Sequence, residues 1–269
     1  MANHIYEIVD TSKYPIDDTD SINYEKLVAN SKETYKRDGI VVLPNFLRDE
    51  SVTEIVKDLE AIRSTAWDVQ TLHNIFYDEG DNSYPSDHIR NRKFLTTVST
   101  LAFDQLDNGL LVNLYKCSEL IDFVARVIDK KKLFRLDDPF GAASINVSPP
   151  GTYQNWHFDE SAFSVTIMLK KAEVGGEFQL TPCIRDSEHV DEELLETVEK
   201  VVGEETDLAK PLLFEPGTLS IFCGSKSLHQ VTENKGTDDR LVAVLCFAEQ
   251  TGVKNSARVQ ELFWGRTAS

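Results

Sequence analysis

Apolar residues recur at the three- and four-residue spacing of amphipathic helices through most of residues 1–133. Ser21 and Gly39 are a capping residue and a terminating glycine, and together they bound one predicted helix. Ser51, which Glu54 follows in a capping-box pattern, begins another. Helices are therefore predicted at residues 21–39, 51–67 and 108–132, with a short strand at 40–43.

From about Phe134 the pattern changes to short apolar runs separated by glycine and proline. These runs predict strands at residues 140–148, 163–170, 176–182, 211–215, 217–222, 227–233 and 240–250. Many short, closely spaced strands are typical of a sandwich or a double-sheet jelly roll. The acidic stretch 185–205 predicts a solvated surface helix, and residues 256–265 predict a short closing helix.

The predicted fold class is therefore α+β, in one domain over residues 1–269. A mainly helical part over residues 1–133 buttresses a jelly-roll, cupin-like core over residues 134–250. A C-terminal segment over residues 251–269 completes the chain.

Composition narrows the classes of function. The formal net charge is −17, with 45 acidic against 28 basic residues, which argues against partners that are nucleic acids or anionic membranes. The sequence lacks a signal-peptide pattern and an apolar run long enough to span a membrane, so we expect a cytoplasmic protein. The scattered cysteines predict reduced, small core residues: Cys117, Cys183, Cys223 and Cys246.

Two His-x-Asp pairs are candidates for metal binding. Residues i and i+2 of a strand point to the same face, so His157 and Asp159 can converge on one ion if their segment is extended. His189 and Asp191 fall in the acidic stretch, where a helix would point them apart. We therefore place the metal pair at residues 157 and 159.

A third ligand comes from another predicted strand, where His229 stands. Two histidines and one carboxylate form the facial triad of non-haem Fe(II) oxygenases, which leaves coordination positions open for a 2-oxo acid and dioxygen. Arg240 opens an otherwise apolar strand, and its guanidinium can bind the far carboxylate of 2-oxoglutarate bidentately. An ion pair with Asp238, Asp239 or the acidic stretch is the structural alternative for Arg240. Asn146 can face the same site and contact the cofactor, or serve as a structural amide.

The order of these motifs, with GGEF and EPGTLSIF between the two histidines, resembles the Fe(II)/2-oxoglutarate-dependent oxygenases. The likeness runs from about Asp138 to Arg266. It implies a double-stranded β-helix (jelly roll) with Fe(II), 2-oxoglutarate and O2 as cofactors and ascorbate as a reductant in vitro. It makes His157, Asp159 and His229 the iron ligands, and Arg240 the clamp on 2-oxoglutarate.

Within that superfamily the chain most resembles the branch of free-amino-acid halogenases and their hydroxylase relatives. In the halogenases glycine replaces the triad carboxylate, so Asp159 implies hydroxylation or another oxidation of a C–H bond. Carried over onto this sequence, the branch's substrate contacts correspond to Trp264, Glu160, Asp138 and Arg92. Lys226 stands where the branch often has an aromatic residue; it suits an anionic substrate, as do Arg92 and Arg185.

The expected function is oxidation of a C–H bond of a free or N-substituted amino acid, by hydroxylation or by oxidative cyclisation as in kainoid synthases. Decarboxylation of 2-oxoglutarate to succinate accompanies it. The partner is a small molecule, and the sequence does not define the oligomeric state. Two alternatives stay open: a hydroxylase of peptide or protein side chains, and a non-catalytic jelly-roll module that binds a ligand.

Overall fold

The structure, a computed structural model, describes residues 4–186 and 189–268. Its helices within these residues are α1 (Ile5–Ile8), α2 (Ile22–Asp38), α3 (Asp49–Ile62), α4 (Leu110–Lys116), α5 (Ser118–Val127), α6 (Glu192–Val202) and α7 (Ala257–Trp264). The strands are β1 (Ile40–Leu43), β2 (Trp67–His73), β3 (Phe94–Leu101), β4 (Phe134–Arg135), β5 (Ala143–Ser148), β6 (Gln154–His157), β7 (Ser164–Lys170), β8 (Phe178–Leu180), β9 (Lys210–Leu212), β10 (Leu219–Phe222), β11 (His229–Val231), β12 (Arg240–Leu245) and β13 (Phe247–Ala248).

The helix predicted from Ser21 is confirmed as α2. The Ser21 hydroxyl accepts a hydrogen bond from the Tyr24 backbone, and Gly39 ends the helix in the left-handed region at φ 73°. The start of α3 was predicted two residues too late, because the helix begins at Asp49. The Ser51 hydroxyl lies inside α3 and donates to a backbone carbonyl of α1 instead of capping.

Two strands in the region predicted as mainly helical were missed. β2 and β3 pair antiparallel along their whole length, and β3 then pairs with β5 of the core. β3 contains three threonines and a valine, residues that favour a pleated surface. The first half of the chain therefore supplies two strands of the main sheet as well as the buttressing helices.

Two sheets form the jelly roll. The larger sheet has the strand order β1-β10-β7-β12-β5-β3-β2, and the smaller has β6-β11-β8-β9. One face of the larger sheet packs Ile145, Ile167 and Ala243 against the helices. The opposite face packs Met168 and Val242 against Phe178 of the smaller sheet. The predicted α+β jelly-roll class is confirmed, and the space between the sheets is where a site can form.

The acidic stretch forms an amphipathic helix rather than a solvated one. Asp191 caps α6 by accepting a hydrogen bond from the Leu194 backbone. The apolar side of α6, including Leu195 and Val198, packs on Trp156 and Phe158. These two aromatic residues alternate with His157 and Asp159 along the chain, so α6 covers the outer face of the smaller sheet. No helix in the described part of the chain is long and apolar enough to cross a membrane.

Candidate active site

Three candidate metal ligands converge at one end of the smaller sheet. β6 and β11 pair antiparallel with His157 directly opposite His229, and Asp159 follows the end of β6. The Asp159 Oδ1 atom lies 3.6 Å from His157 Nε2 and 3.3 Å from His229 Nε2. One ligand atom from each residue therefore falls within 4.8 Å of the others. The sequence prediction placed these three residues together, and they are together.

Each histidine is oriented by its other ring nitrogen. His157 Nδ1 lies 2.7 Å from the Asn155 carbonyl oxygen, and His229 Nδ1 lies 2.8 Å from the Ser227 carbonyl oxygen. A carbonyl only accepts, so Nδ1 carries the proton and donates in both rings. Each Nε2 atom therefore keeps its lone pair, and this lone pair is what a metal ion binds.

The charges within the triad suit cation binding. Burial would raise the pKa of Asp159, but the two histidines beside it hold the pKa of this carboxyl well below its ordinary value. Burial and the neighbouring His229 lower the pKa of His157. Burial would lower the pKa of His229 as well, but the Asp159 carboxylate raises it. The site therefore holds a carboxylate beside an imidazole that resists protonation, a donor set that fits Fe(II).

The Asp159 carboxylate is held from its far side. The Ser164 hydroxyl donates to Asp159 Oδ2 at 2.5 Å, which leaves Oδ1 directed at the histidines. The Asp159 backbone N–H donates to the Gly224 carbonyl at 3.0 Å. A Cβ atom at Gly224 would lie 2.9 Å from Asp159 Cγ, closer than real contacts allow, so the carboxylate needs glycine there. Neither contact was predicted: Gly224 is distant from Asp159 along the chain, and Ser164, five residues on, reaches the carboxylate only because the segment between them bends.

Arg240 is buried between the sheets, and no acidic side chain in the described part of the chain pairs with it. Its side chain is 3 % exposed, and its Nε atom has no hydrogen-bond partner among the described residues. Burial lowers the pKa of Arg240 to about 10. Neither neighbouring aspartate pairs with Arg240, because Asp239 pairs with Arg63 and Asp238 lies near Lys170. No ion pair joins Arg240 to the described residues of the acidic stretch either. A buried, unpaired guanidinium is costly unless an anion binds to it.

The inner face of the larger sheet presents polar groups beside Arg240. β12 pairs with β5 so that Arg240 lies opposite Ser148, and Val242 lies opposite Asn146. Residues opposite each other in an antiparallel pair share a face, so Asn146 and Ser148 point to the same side as Arg240. Gly176, at φ +61°, lies beside this arginine, and a Cβ atom there would come within 3.1 Å of Arg240 Cδ. The larger sheet thus offers an anion site that faces the triad.

A second group of residues, His73, Tyr77 and Thr96, lies around His157. The His73 and Tyr77 rings stack at 4.2 Å, and both meet the His157 ring nearly at right angles. His73 Nε2 lies 2.9 Å from the Thr96 hydroxyl, which also accepts the Asn155 backbone N–H. Burial lowers the pKa of His73 to about 4, so this ring is neutral.

The comparison with known proteins assigns the family. The profile of the Halogenase D family matches residues 23–263, most of the chain. The chain belongs to the Halogenase D family. Among curated protein sequences, none matches it.

Solved structures share the fold of this Halogenase D family member. AviO1 from Streptomyces viridochromogenes Tue57 is 15 % identical, with a TM-score of 0.57 over 85 % of this chain and 97 % of AviO1. The epimerase SnoN in complex with Fe3+, alpha ketoglutarate and nogalamycin RO is 13 % identical, with a TM-score of 0.56 over 82 % of each chain. A 2OG-Fe(II) oxygenase family oxidoreductase from Burkholderia pseudomallei is 17 % identical, with a TM-score of 0.51 over 84 % of this chain and 92 % of that one. The chain therefore shares the fold of a solved 2OG-Fe(II) oxygenase family protein and belongs, by the match over residues 23–263, to the Halogenase D family.

Two predicted substrate contacts of this Halogenase D family member are buried together at the C-terminal segment. The Trp264 side chain packs against Phe140, and its indole N–H has no acceptor among the described residues. The Asp138 carboxylate accepts hydrogen bonds from two backbone N–H groups of its own turn, from the Asn255 backbone and from Gln260 Nε2. Asp138 therefore anchors the segment that carries Trp264, and direct contact of Asp138 with substrate stays a prediction.

The other predicted substrate contacts lie further out. Glu160 and Lys226 are exposed, each on a turn beside the triad. The Arg92 guanidinium pairs with Glu199 of α6 at 2.9 Å, on the outer side of the smaller sheet. Arg185 lies over the Phe76 and Phe158 rings. The fold brings none of these four side chains into contact with the triad among the described contacts, and their roles stay predictions.

Proposed function

We propose that this protein uses Fe(II), 2-oxoglutarate and O2 to oxidise a C–H bond of a free or N-substituted amino acid. The reaction is hydroxylation or oxidative cyclisation, coupled to decarboxylation of 2-oxoglutarate to succinate. The observation that carries the proposal is the carboxylate of Asp159, held 3.3 Å from His229 Nε2 within a complete triad. The family is named for halogenation, and glycine at this position is what the resemblance implies for a halogenase. A carboxylate at this position supports oxygen insertion or cyclisation instead.

His157, Asp159 and His229 would hold the metal. When bound, Fe(II) together with 2-oxoglutarate and O2 supplies the oxidation of the C–H bond. Arg240 would receive the far carboxylate of 2-oxoglutarate, since this guanidinium is buried and unpaired. Phe178 and Phe222 lie 5.7 Å and 5.2 Å from the His229 ring and exclude water on that side.

The proposed amino-acid contacts follow from the same geometry. The Trp264 indole N–H is buried without an acceptor, so it is available to donate to a substrate carboxylate. Glu160, exposed on the turn after Asp159, would accept from a substrate ammonium group. Lys226, exposed on the facing turn, would favour a substrate with a second acidic group, which is the case where oxidative cyclisation applies.

The test is succinate release with Fe(II), ascorbate and 2-oxoglutarate, screened against free and N-substituted amino acids. We expect at least one amino acid to stimulate succinate release and to gain oxygen or lose two hydrogens, as measured by mass spectrometry. A chlorinated product in chloride buffer would overturn the assignment to hydroxylation or cyclisation. Stimulation by peptides alone would overturn the small-molecule assignment.

Two variants connect the activity to the site. Asp159→Ala should abolish succinate release and weaken metal binding; unchanged metal binding would contradict the triad. Arg240→Leu should raise the KM for 2-oxoglutarate about 10- to 100-fold, the loss expected for a charge-assisted bidentate contact. Arg126→Leu is the matched control, because that arginine pairs with Glu25 on the surface. Equal KM values for 2-oxoglutarate in the two arginine variants would contradict the role of Arg240 in binding 2-oxoglutarate.

A further inference from the structure

Two thiols meet on neighbouring loops beside the metal site. Cys183 follows β8 and is exposed, whereas Cys223 follows β10 and is half-buried. The Cys183 sulfur lies 3.8 Å from the Ser227 hydroxyl, and each of the two thiols shifts the pKa of the other through their side chains. All four cysteines were predicted to be small core residues, and this pair differs because the two loops meet only in the folded chain.

The backbone fixes the two loops side by side. The Thr181 N–H donates to the Leu228 carbonyl at 2.9 Å, and the Ile184 N–H donates to the Lys226 carbonyl at 3.0 Å. These two bonds lie on either side of Cys183, so its loop cannot move away without breaking them. Backbone hydrogen bonds, and not only the choice of side-chain rotamer, therefore hold the two thiols close together.

A glycine makes room for the pair. The Cys223 N–H donates to the Gly39 carbonyl at 2.8 Å. A Cβ atom at Gly39 would lie only 2.8 Å from the Cys183 sulfur, so a larger residue would push that thiol out of place. Three segments, from α2, β8 and β10, thus converge around the two sulfur atoms.

The two thiols differ in exposure and in the direction of their pKa shifts. The hydrogen bond with Cys223 lowers the pKa of Cys183 to about 6, with help from Ser227 and Lys226. The same bond and burial raise the pKa of Cys223 above its ordinary value. An exposed thiolate beside a protonated, half-buried partner is the arrangement of an attacking and a resolving cysteine.

The turn that carries Cys223 also holds the metal ligands in place. The Gly224 carbonyl accepts the Asp159 N–H, and the Ser227 carbonyl accepts the His229 Nδ1 proton. A bond from Cys223 to Cys183 would pull on this turn and so on two of the three ligands. Such surrounding contacts tune metal affinity.

We propose that Cys183 and Cys223 form a site of reversible oxidation by hydrogen peroxide that controls the metal centre through the 223–227 turn. The Cys183 thiolate attacks one peroxide oxygen, the O–O bond breaks, and water leaves after taking up a proton, which gives a sulfenic acid at Cys183. The Cys223 sulfur then attacks the Cys183 sulfur, the S–O bond breaks, and a second water leaves with the Cys223 proton. Both sulfurs are oxidised to a disulfide, and peroxide is reduced to two waters.

The first test is cross-linking of the metal-free protein by a small excess of hydrogen peroxide, followed by intact and peptide mass spectrometry. We expect a loss of two hydrogens, a peptide that joins residues 183 and 223, and full reversal by dithiothreitol. Cys183→Ser and Cys223→Ser should each abolish the cross-link. Cys117→Ser is the matched control and should keep it, because burial raises the pKa of the Cys117 thiol to about 12. No cross-link, or a cross-link to another cysteine, would overturn the site.

The second test separates this site from the proposed oxygenase activity, since it measures Co(II) binding alone. The oxidised wild type should bind Co(II) roughly tenfold more weakly than the reduced protein, within the range that altered surrounding contacts produce. Peroxide-treated Cys183→Ser should bind Co(II) as the reduced wild type does. Equal Co(II) affinity of the oxidised and reduced wild type would overturn the link to the metal centre, whatever the substrate screen shows.

Discussion

Gly224 sets the position of the Asp159 carboxylate, and replacing it tests how finely the triad is built. In Gly224→Ala, the new Cβ atom would lie 2.8 Å from Asp159 Cβ and 2.9 Å from Asp159 Cγ. Ordinary van der Waals contact begins at 3.4 Å, so the carboxyl carbon must retreat by about half an ångström. Metal–ligand distances tolerate only about 0.2 Å. The carboxylate would therefore be displaced beyond what coordination accepts.

The expected magnitude follows from that displacement. Disturbing the contacts that orient a ligand typically costs about 10- to 100-fold in metal affinity, which corresponds to about 1.4 to 2.8 kcal/mol of binding free energy. The assay is Co(II) titration of the metal-free protein, followed by its visible absorption. Gly203→Ala is the matched control, because that glycine ends α6 and the nearest atom to its Cβ would lie 3.2 Å away.

A double-variant comparison makes the result decisive. If Gly224→Ala acts through Asp159, it should cost nothing further in an Asp159→Ala background. Full additivity of the two losses would refute the reasoning, as would a Gly224→Ala protein that binds Co(II) as tightly as the Gly203→Ala control does.

Three further predictions follow from the same contacts. Ser164→Ala removes the hydrogen bond to Asp159 Oδ2 and should weaken Co(II) binding by about 1.5 to 3 kcal/mol; Ser161→Ala, at an exposed serine on the turn before β7, should leave it unchanged. Asp138→Asn replaces an acceptor of four hydrogen bonds and should lower the free energy of unfolding by about 1 to 3 kcal/mol in urea titrations, and a change below about 0.5 kcal/mol would contradict its anchoring role. The Asp159 carboxylate raises the pKa of His229. Below that pKa, Co(II) affinity should fall about tenfold per pH unit, because a proton then competes with the metal for Nε2. A Co(II) affinity that stays constant across that range would contradict the role of His229 as a ligand.

The sequence by itself determined the local features of this protein. Ser21 and Gly39 predicted α2, because a cap and a left-handed glycine act within a few residues of the helix they bound. The short apolar runs after residue 134 predicted most strands of the jelly roll, although not β6, which carries His157. His157 and Asp159 were identifiable as a pair because alternation along a strand places i and i+2 on one face. Arg240 was identifiable because a charge that opens an apolar strand requires a partner.

The tertiary structure alone decided which distant residues meet. The register of β6 against β11 placed His157 opposite His229, and the pairing of β12 with β5 turned Asn146 toward the same space as Arg240. Gly224 touches Asp159 only because two turns meet, and no spacing along the chain encodes that contact. Local patterns report hydrogen bonding and amphipathicity over a few residues, whereas contacts between loops depend on how two complete sheets pack. The pair of metal ligands was therefore predictable from the sequence, whereas the groups that hold the pair in place, such as Gly224, were not.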